Sequence, residues 1–318
     1  MIMTTESDLR APASARGHPR APLSQGARSE HRLAALLCAP AALVILVVTA
    51  YPIGYAIYLS LQRFDLRFPE QSSFVGLANY GSVLTSGHWW QALTTTLIIT
   101  VVSVAIEFVI GLALALAMYR TLIGRGLIRT VVLIPYSIIT VVAAFSWQFA
   151  WTPGKGYLAA LLPQGVAPLT DHTSAIGVII LAEVWKTTPF MALLLLVGLA
   201  LVPDELLRAA QIDGAGPWKR LTKIILPMMK PAILVALLFR TLDAFRIFDN
   251  IYILTNGSNG TASVSMLGYD NLFKVFNLGI GSAISVLIVI VVSIFAFVFI
   301  KLFGVVAPGA EDDERRLR

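Results

Sequence analysis

The sequence predicts an all-α polytopic membrane protein with six transmembrane helices. Three observations carry that prediction. Of the 318 residues, 57% are hydrophobic and only 13% charged, with a mean hydropathy of +0.78. A soluble domain carries about 25% charged residues. Six runs are apolar over the roughly 20 residues that a helix needs to cross a bilayer. Lys and Arg are concentrated in alternate loops, as they are when one side of a membrane faces the cytoplasm. Composition thus argues against a soluble globular enzyme and, more firmly, a disordered chain. The net charge of +6 belongs to these loops, so no nucleic-acid partner is expected.

Residues 1–32 are polar and rich in Ala, Pro, Ser and Arg, without helical periodicity, and read as a disordered cytoplasmic tail. The first apolar run is too long and starts too late for a cleaved signal peptide. The six spans are expected at about 33–61, 92–119, 128–151, 175–201, 232–254 and 280–303. Their apolar runs do not alternate with polar residues, which argues against barrel strands. Pro135 before Tyr136 is expected to break span three early, and Pro189 after Thr187-Thr188 either to open span four or only to kink it, because Pro removes a backbone donor. Trp147 and Trp151 read as interfacial anchors rather than site residues. The tail, the second and fourth loops and the C-terminus hold 17 Lys and Arg, among them Arg120, Arg208, Lys219 and Lys301. The opposite side holds 4: Arg63, Arg67, Lys155 and Lys274. Both termini, including the charged tail 306–318, are therefore expected in the cytoplasm, and the protein in the plasma membrane.

The fourth loop, 203–231, carries the most specific pattern. Pro203-Asp204-Glu205 is a helix start and Asp213-Gly214 a helix stop; Gly216-Pro217 begins a second short helix. Leu206, Leu207 and Ala210 are expected to form an apolar face that docks in a partner's groove. The stretch Arg208-Ala209-Ala210-x-x-Asp213-Gly214-Ala215, with Pro227 beyond it, resembles the EAA loop of ABC sugar-importer permeases of the maltose and trehalose type. The usual leading Glu is Arg208 here. Phe74-Val75-Gly76-Leu77-x-Asn79-Tyr80 and Phe245-Arg246-Ile247-Phe248-Asp249-Asn250 resemble segments of the same family. The likeness covers residues 33–305.

The resemblance implies an ABC type I importer permease fold. It implies transport of a sugar, with trehalose favoured, by alternating access, and coupling to an ATPase through Arg208, Ala209, Ala210, Asp213, Gly214 and Ala215. It also implies a second homologous permease, two ATP-binding-cassette subunits and an extracytoplasmic sugar-binding lipoprotein. ATP and Mg would sit in the cassette subunits. This chain has no Gly-x-x-x-x-Gly-Lys-Ser/Thr sequence of its own. No metal-ligand spacing or nucleophile–base constellation stands out, so neither a metal site nor an enzyme is expected. The single cysteine, Cys38, excludes a disulfide framework within the chain.

Seven ionisable residues fall inside the expected spans: Glu107, Glu183, Lys186, Arg240, Asp243, Arg246 and Asp249. Such residues face the bundle interior or a water-filled cavity. Glu183 with Lys186, and Arg240 with Asp243, are spaced to pair along one helix. The near-neutral sum suits a sugar, whose hydroxyls donate to carboxylates and accept from guanidinium. Mutual charge balance between helices is the competing reading. Glu107 has no nearby base, which points to a partner in another helix or subunit. By the family's spacing, the sugar site falls at Tyr136, Thr140, Glu183, Lys186, Thr187, Phe190, Arg240, Asp243 and Ile247. Three rivals remain: a secondary transporter, with Glu107 or Asp243 as a proton carrier, a membrane-embedded structural or assembly subunit, or a permease for another sugar or polyol.

Overall fold

The computed structural model describes residues 25–120, 124–163 and 165–303. Of the expected tails, residues 1–24 and all of 306–318 lie outside the described residues, whereas residues 25–32 are helical rather than disordered. The chain forms two units, residues 1–54 and 55–318. Helix α1 (Gln25–Ser60) already begins upstream of the expected start at Leu33. Within residues 36–54 its apolar side chains, including Leu43, Ile45 and Val48, are exposed on all sides. That is the surface of a helix that meets lipid tails.

The second unit opens with a short hairpin, in which β1 (Gln62–Arg63) pairs antiparallel with β2 (Ser73–Phe74). Asp65 bridges to Asn277, which ties the hairpin to the last span. Hydrogen bonds from Arg67 hold the Asp65 carboxyl down to about 2. After α2 (Ala78–Leu84) come α3 (Gly87–Arg120), α4 (Arg125–Ser137) and α5 (Thr140–Ala150). The chain continues with α6 (His172–Ala200), α7 (Asp204–Ile212), α8 (Pro217–Arg220) and α9 (Leu226–Phe245). It ends with α10 (Asp249–Leu254), α11 (Val264–Tyr269) and α12 (Leu278–Phe303).

Among the described residues five helices are long and apolar enough to span, and α4 with α5, bent by 83° at a short break, adds the sixth crossing if the pair is one span. The break lies at Ile138–Ile139, past the expected position at Pro135. Pro135 disfavours helical backbone at its predecessor and removes one donor, and the helix runs one further turn before it opens. Span four, by contrast, keeps its helix through Pro189. Of the two outcomes expected at Pro189, the opening does not occur and the helix stays continuous. Span five is interrupted at Arg246–Phe248 and resumes as α10.

Helices α3, α6 and α9 form the centre, around Val104, Met118, Met191, Leu195, Leu199 and Met229. Small residues let them approach closely: a Cβ on Gly198 would lie 2.5 Å from the Ala232 Cβ. Such contacts supply the packing that holds helices together in lipid.

The two expected loop helices are present as α7 and α8. Gly214 takes φ +77°, and Ala215 N–H closes on Ala210 C=O at 2.8 Å, which ends α7 as the Asp213-Gly214 pair predicts. The Tyr119 hydroxyl donates to Asp204 at 2.7 Å and fixes the start of α7 against the end of α3. The expected apolar face is split. Leu207 packs inward on the core, whereas Leu206, Ile212 and Trp218 point outward.

Candidate functional site

Arg240 is the centre of the site. Its side chain is 0% exposed, and each of its three nitrogens is directed at polar groups of three helices. Nε donates to Glu107 Oε2 at 2.6 Å and Nη2 to Glu107 Oε1 at 2.9 Å. Nη2 also reaches Glu183 Oε1 at 2.8 Å and Thr187 Oγ1 at 2.9 Å, while Nη1 reaches Asp243 Oδ2 at 2.6 Å. The sequence spacing makes this possible. Glu183 and Thr187 are one turn apart on α6, Arg240 and Asp243 one turn apart on α9, and Glu107 faces both from α3. Asn250 of α10 donates to the second Glu183 oxygen at 2.6 Å. The interrupted half of span five is thus tied to the same cluster.

Lys186 does not pair with Glu183, although the spacing allows it. Its Nζ donates to the Ile138 carbonyl at 2.7 Å and lies 5.8 Å from the centre of the Tyr136 ring. Ile138 sits where span three breaks, so the ammonium satisfies a carbonyl that the bent helix leaves without its usual partner.

These groups surround a cavity of about 560 Å³. Of the nine expected sugar-site residues, seven line it: Tyr136, Thr140, Glu183, Lys186, Thr187, Asp243 and Ile247. Phe190 lies behind Tyr136 and stacks on it, with centroids 5.4 Å apart. Arg240 lies behind the wall, buried under its carboxylates, and does not offer a donor to the cavity. The Asp243 side chain is 68% exposed and that of Glu183 10%. Asp243 is therefore the most accessible carboxylate of the cluster.

Ile138, Ile139, Arg246, Phe248, Asp249 and Asn250 also line the cavity, although sequence reasoning did not count them among the sugar-site residues. The two interruptions were the available signal, since both broken spans turn their breaks toward this cavity. Glu107 finds its base in Arg240 of the same chain, 133 residues away. A second cavity, of about 640 Å³, is lined by Phe248, Tyr269, Phe273, Ile288 and Val292, with Arg246 as its one charged residue. Its other polar groups are Tyr269 and three serines, Ser265, Ser285 and Ser293, and it holds no carboxylate to accept from sugar hydroxyls.

In the segment expected to couple to an ATPase, Arg208, Ala209, Asp213 and Gly214 are exposed, and Ala210 and Ala215 half-buried. No atom lies within 4 Å of a Cβ built on Gly214, so its own chain asks only for the left-handed backbone there. Among the described residues no cluster could hold a metal ion.

The chain is 67% identical over 287 residues to the trehalose transport system permease protein SugA of Mycobacterium tuberculosis, covering 90% of this chain and 94% of that one. It is 41% identical to the trehalose/maltose transport system permease protein MalF of Thermococcus litoralis, covering 86% and 94%. The fold matches the crystal structure of a bacterial ABC transporter that imports the acidic polysaccharide alginate, with TM-score 0.76 and 21% identity. That match covers 90% of this chain and 99% of the other. The model for binding-protein-dependent transport system inner membrane components matches residues 107–308. The chain belongs to that family of ABC-importer permeases.

Proposed function

We propose that this chain is one half of a heterodimeric permease that imports a neutral disaccharide, trehalose in the first instance, by alternating access. Both termini face the cytoplasm in this reading, because the Lys- and Arg-rich loops gather on one side. The exposed face of α7 and α8, with Arg208, Ala209, Asp213 and Gly214, seats in an ATP-binding-cassette subunit. Two such subunits bind ATP with Mg and drive the reorientation. A second homologous permease completes the pathway, and an extracytoplasmic lipoprotein delivers the sugar.

The observation that carries this reading is the cavity wall. Seven residues expected from the family's spacing converge on one hydrophilic cavity. Its charges are mixed: Glu183, Asp243 and Asp249 against Lys186 and Arg246. Carboxylates accept from sugar hydroxyls, and Tyr136 offers a ring face to sugar C–H groups. Arg240, the strongest anion ligand available, is already neutralised and out of reach. A phosphate would find no local positive excess. The 67% identical trehalose permease supports the choice of sugar.

The test is Asp243→Asn, assayed as concentration-dependent trehalose uptake in vesicles that carry the complete importer. A lost hydrogen bond to a charged group costs about 1.5–3 kcal/mol, so half-saturation should rise roughly tenfold or more. Unchanged half-saturation would reject the cavity as the sugar site and leave family membership standing.

A further inference from the structure

Glu107 does not line the cavity, yet its side chain is fully buried and engages both Nε and Nη2 of Arg240. Thr187 adds its hydroxyl to the same carboxylate at 2.8 Å. Three carboxylates therefore share one guanidinium, and the four groups carry a formal charge of −2. If only Glu183 and Asp243 balanced Arg240, the cation would be drawn wholly onto the two acids that face the cavity. Glu107 binds it from the far side instead. Asp243 then keeps Oδ1 without a partner among the described residues, on a side chain open to the cavity.

We infer that Glu107 is a positioning residue for sugar recognition: it holds Arg240 from behind, so that the cavity wall presents acceptors to hydroxyls and repels anions. The inference rests on the proposed sugar cavity. It differs from a structural pin in one respect. A pin would fix helices α3, α6 and α9 without altering what the cavity selects. A charge-positioning residue alters selection, because the removal of one buried negative charge acts strongly at short range in a medium of low dielectric.

The experiment compares Glu107→Gln, Glu107→Asp and the double variant Glu107→Gln/Arg240→Met in the complete importer, purified, normalised for assembled complex and placed in vesicles. Trehalose uptake is measured over a concentration range, alone and against a phosphorylated trehalose as competitor. For Glu107→Gln we expect a rise of about five- to tenfold in half-saturation and stronger inhibition by the phosphorylated sugar. Glu107→Asp keeps the charge and should still reject the competitor. If Glu107→Gln does not assemble, the double variant decides: it leaves one buried carboxylate fewer unpaired than Arg240→Leu does, with Asp243 open to the cavity and Glu183 still held by Asn250. It should assemble but retain the raised half-saturation, since Asp243 and Glu183 have lost their shared anchor. Wild-type half-saturation and wild-type rejection of the competitor, in Glu107→Gln or in the double variant, would overturn the inference. Asp243→Asn, measured beside them, separates the two possible failures. If it too leaves half-saturation unchanged, the sugar cavity itself is wrong; if it alone raises it, only the role of Glu107 falls.

Discussion

The ionic cluster around Arg240 and the short helix α7 use charge in opposite ways. In the cluster, four side chains from α3, α6 and α9 satisfy one another at 2.6–2.9 Å with Arg240 fully buried. On α7 the acidic residues Asp204 and Glu205 and the cation Arg208 are exposed. The helix is held mainly by Leu207 on the core, a glycine turn, and one hydroxyl bond from Tyr119. The difference teaches where each region can fail. Around Arg240, Glu107 and Glu183 little solvent is present to absorb a lost partner, so these three depend on one another, while Asp243 stays open to the cavity. An exposed segment tolerates loss within its own chain and keeps its chemistry for a surface that meets something else.

The comparison breaks most visibly at Arg240. Arg240→Leu leaves Glu107, Glu183 and Asp243 facing one another without the guanidinium that binds all three. Removal of one partner from a buried pair costs about 3–5 kcal/mol. We expect loss of the folded permease, read as a fall in the melting temperature in detergent and in the yield of assembled complex. Normal yield and melting would show that water or Lys186 compensates, and the cluster would then be far less interdependent than its geometry suggests.

A smaller effect on folding, but a specific one on function, is expected at Gly214. Its φ of +77° is disfavoured for a β-branched residue, at a cost of about 1–3 kcal/mol. No atom of this chain would clash with the new side chain. Gly214→Val should therefore insert and fold, but change the end of α7 and uncouple ATP hydrolysis from uptake. The measurements are sugar-stimulated ATPase and uptake on the same vesicles. Normal values for both would show that the turn does not transmit motion. Loss of assembly would support the interface without the coupling step.

Much of this contrast is legible in the sequence. Apolar runs locate the six crossings, and Pro203, Gly214 and Pro217 locate α7 and α8, because those signals act within a few residues. The carboxylates and bases inside the spans announce a polar interior. Their pairing is not legible. Spacing along one helix favours Glu183 with Lys186, whereas the folded chain gives Glu183 to Arg240 and Lys186 to a backbone carbonyl. That carbonyl is free only because span three breaks at Ile138, and no side-chain pattern encodes a freed backbone group. Likewise Phe190 and Arg240 fall at the expected positions but stand one layer behind the wall, because rotation of a helix about its axis depends on its neighbours.

The finest test of the comparison is Tyr119→Phe, which removes one hydroxyl and nothing else from the bond to Asp204. Both groups lie near the surface, where water can replace the lost partner. The net contribution of such a bond is about 1 kcal/mol or less. In the buried cluster a single lost hydrogen bond leaves an unsatisfied group and costs more. We therefore expect the melting temperature of Tyr119→Phe to stay close to that of the parent. The start of α7 should loosen, read as faster amide hydrogen exchange at residues 204–208. Unchanged exchange there would mean that Leu207 alone anchors the helix. A large fall in melting temperature would show instead that α7 is as tightly coupled to the bundle as Arg240 is, and the distinction between the two regions would not hold.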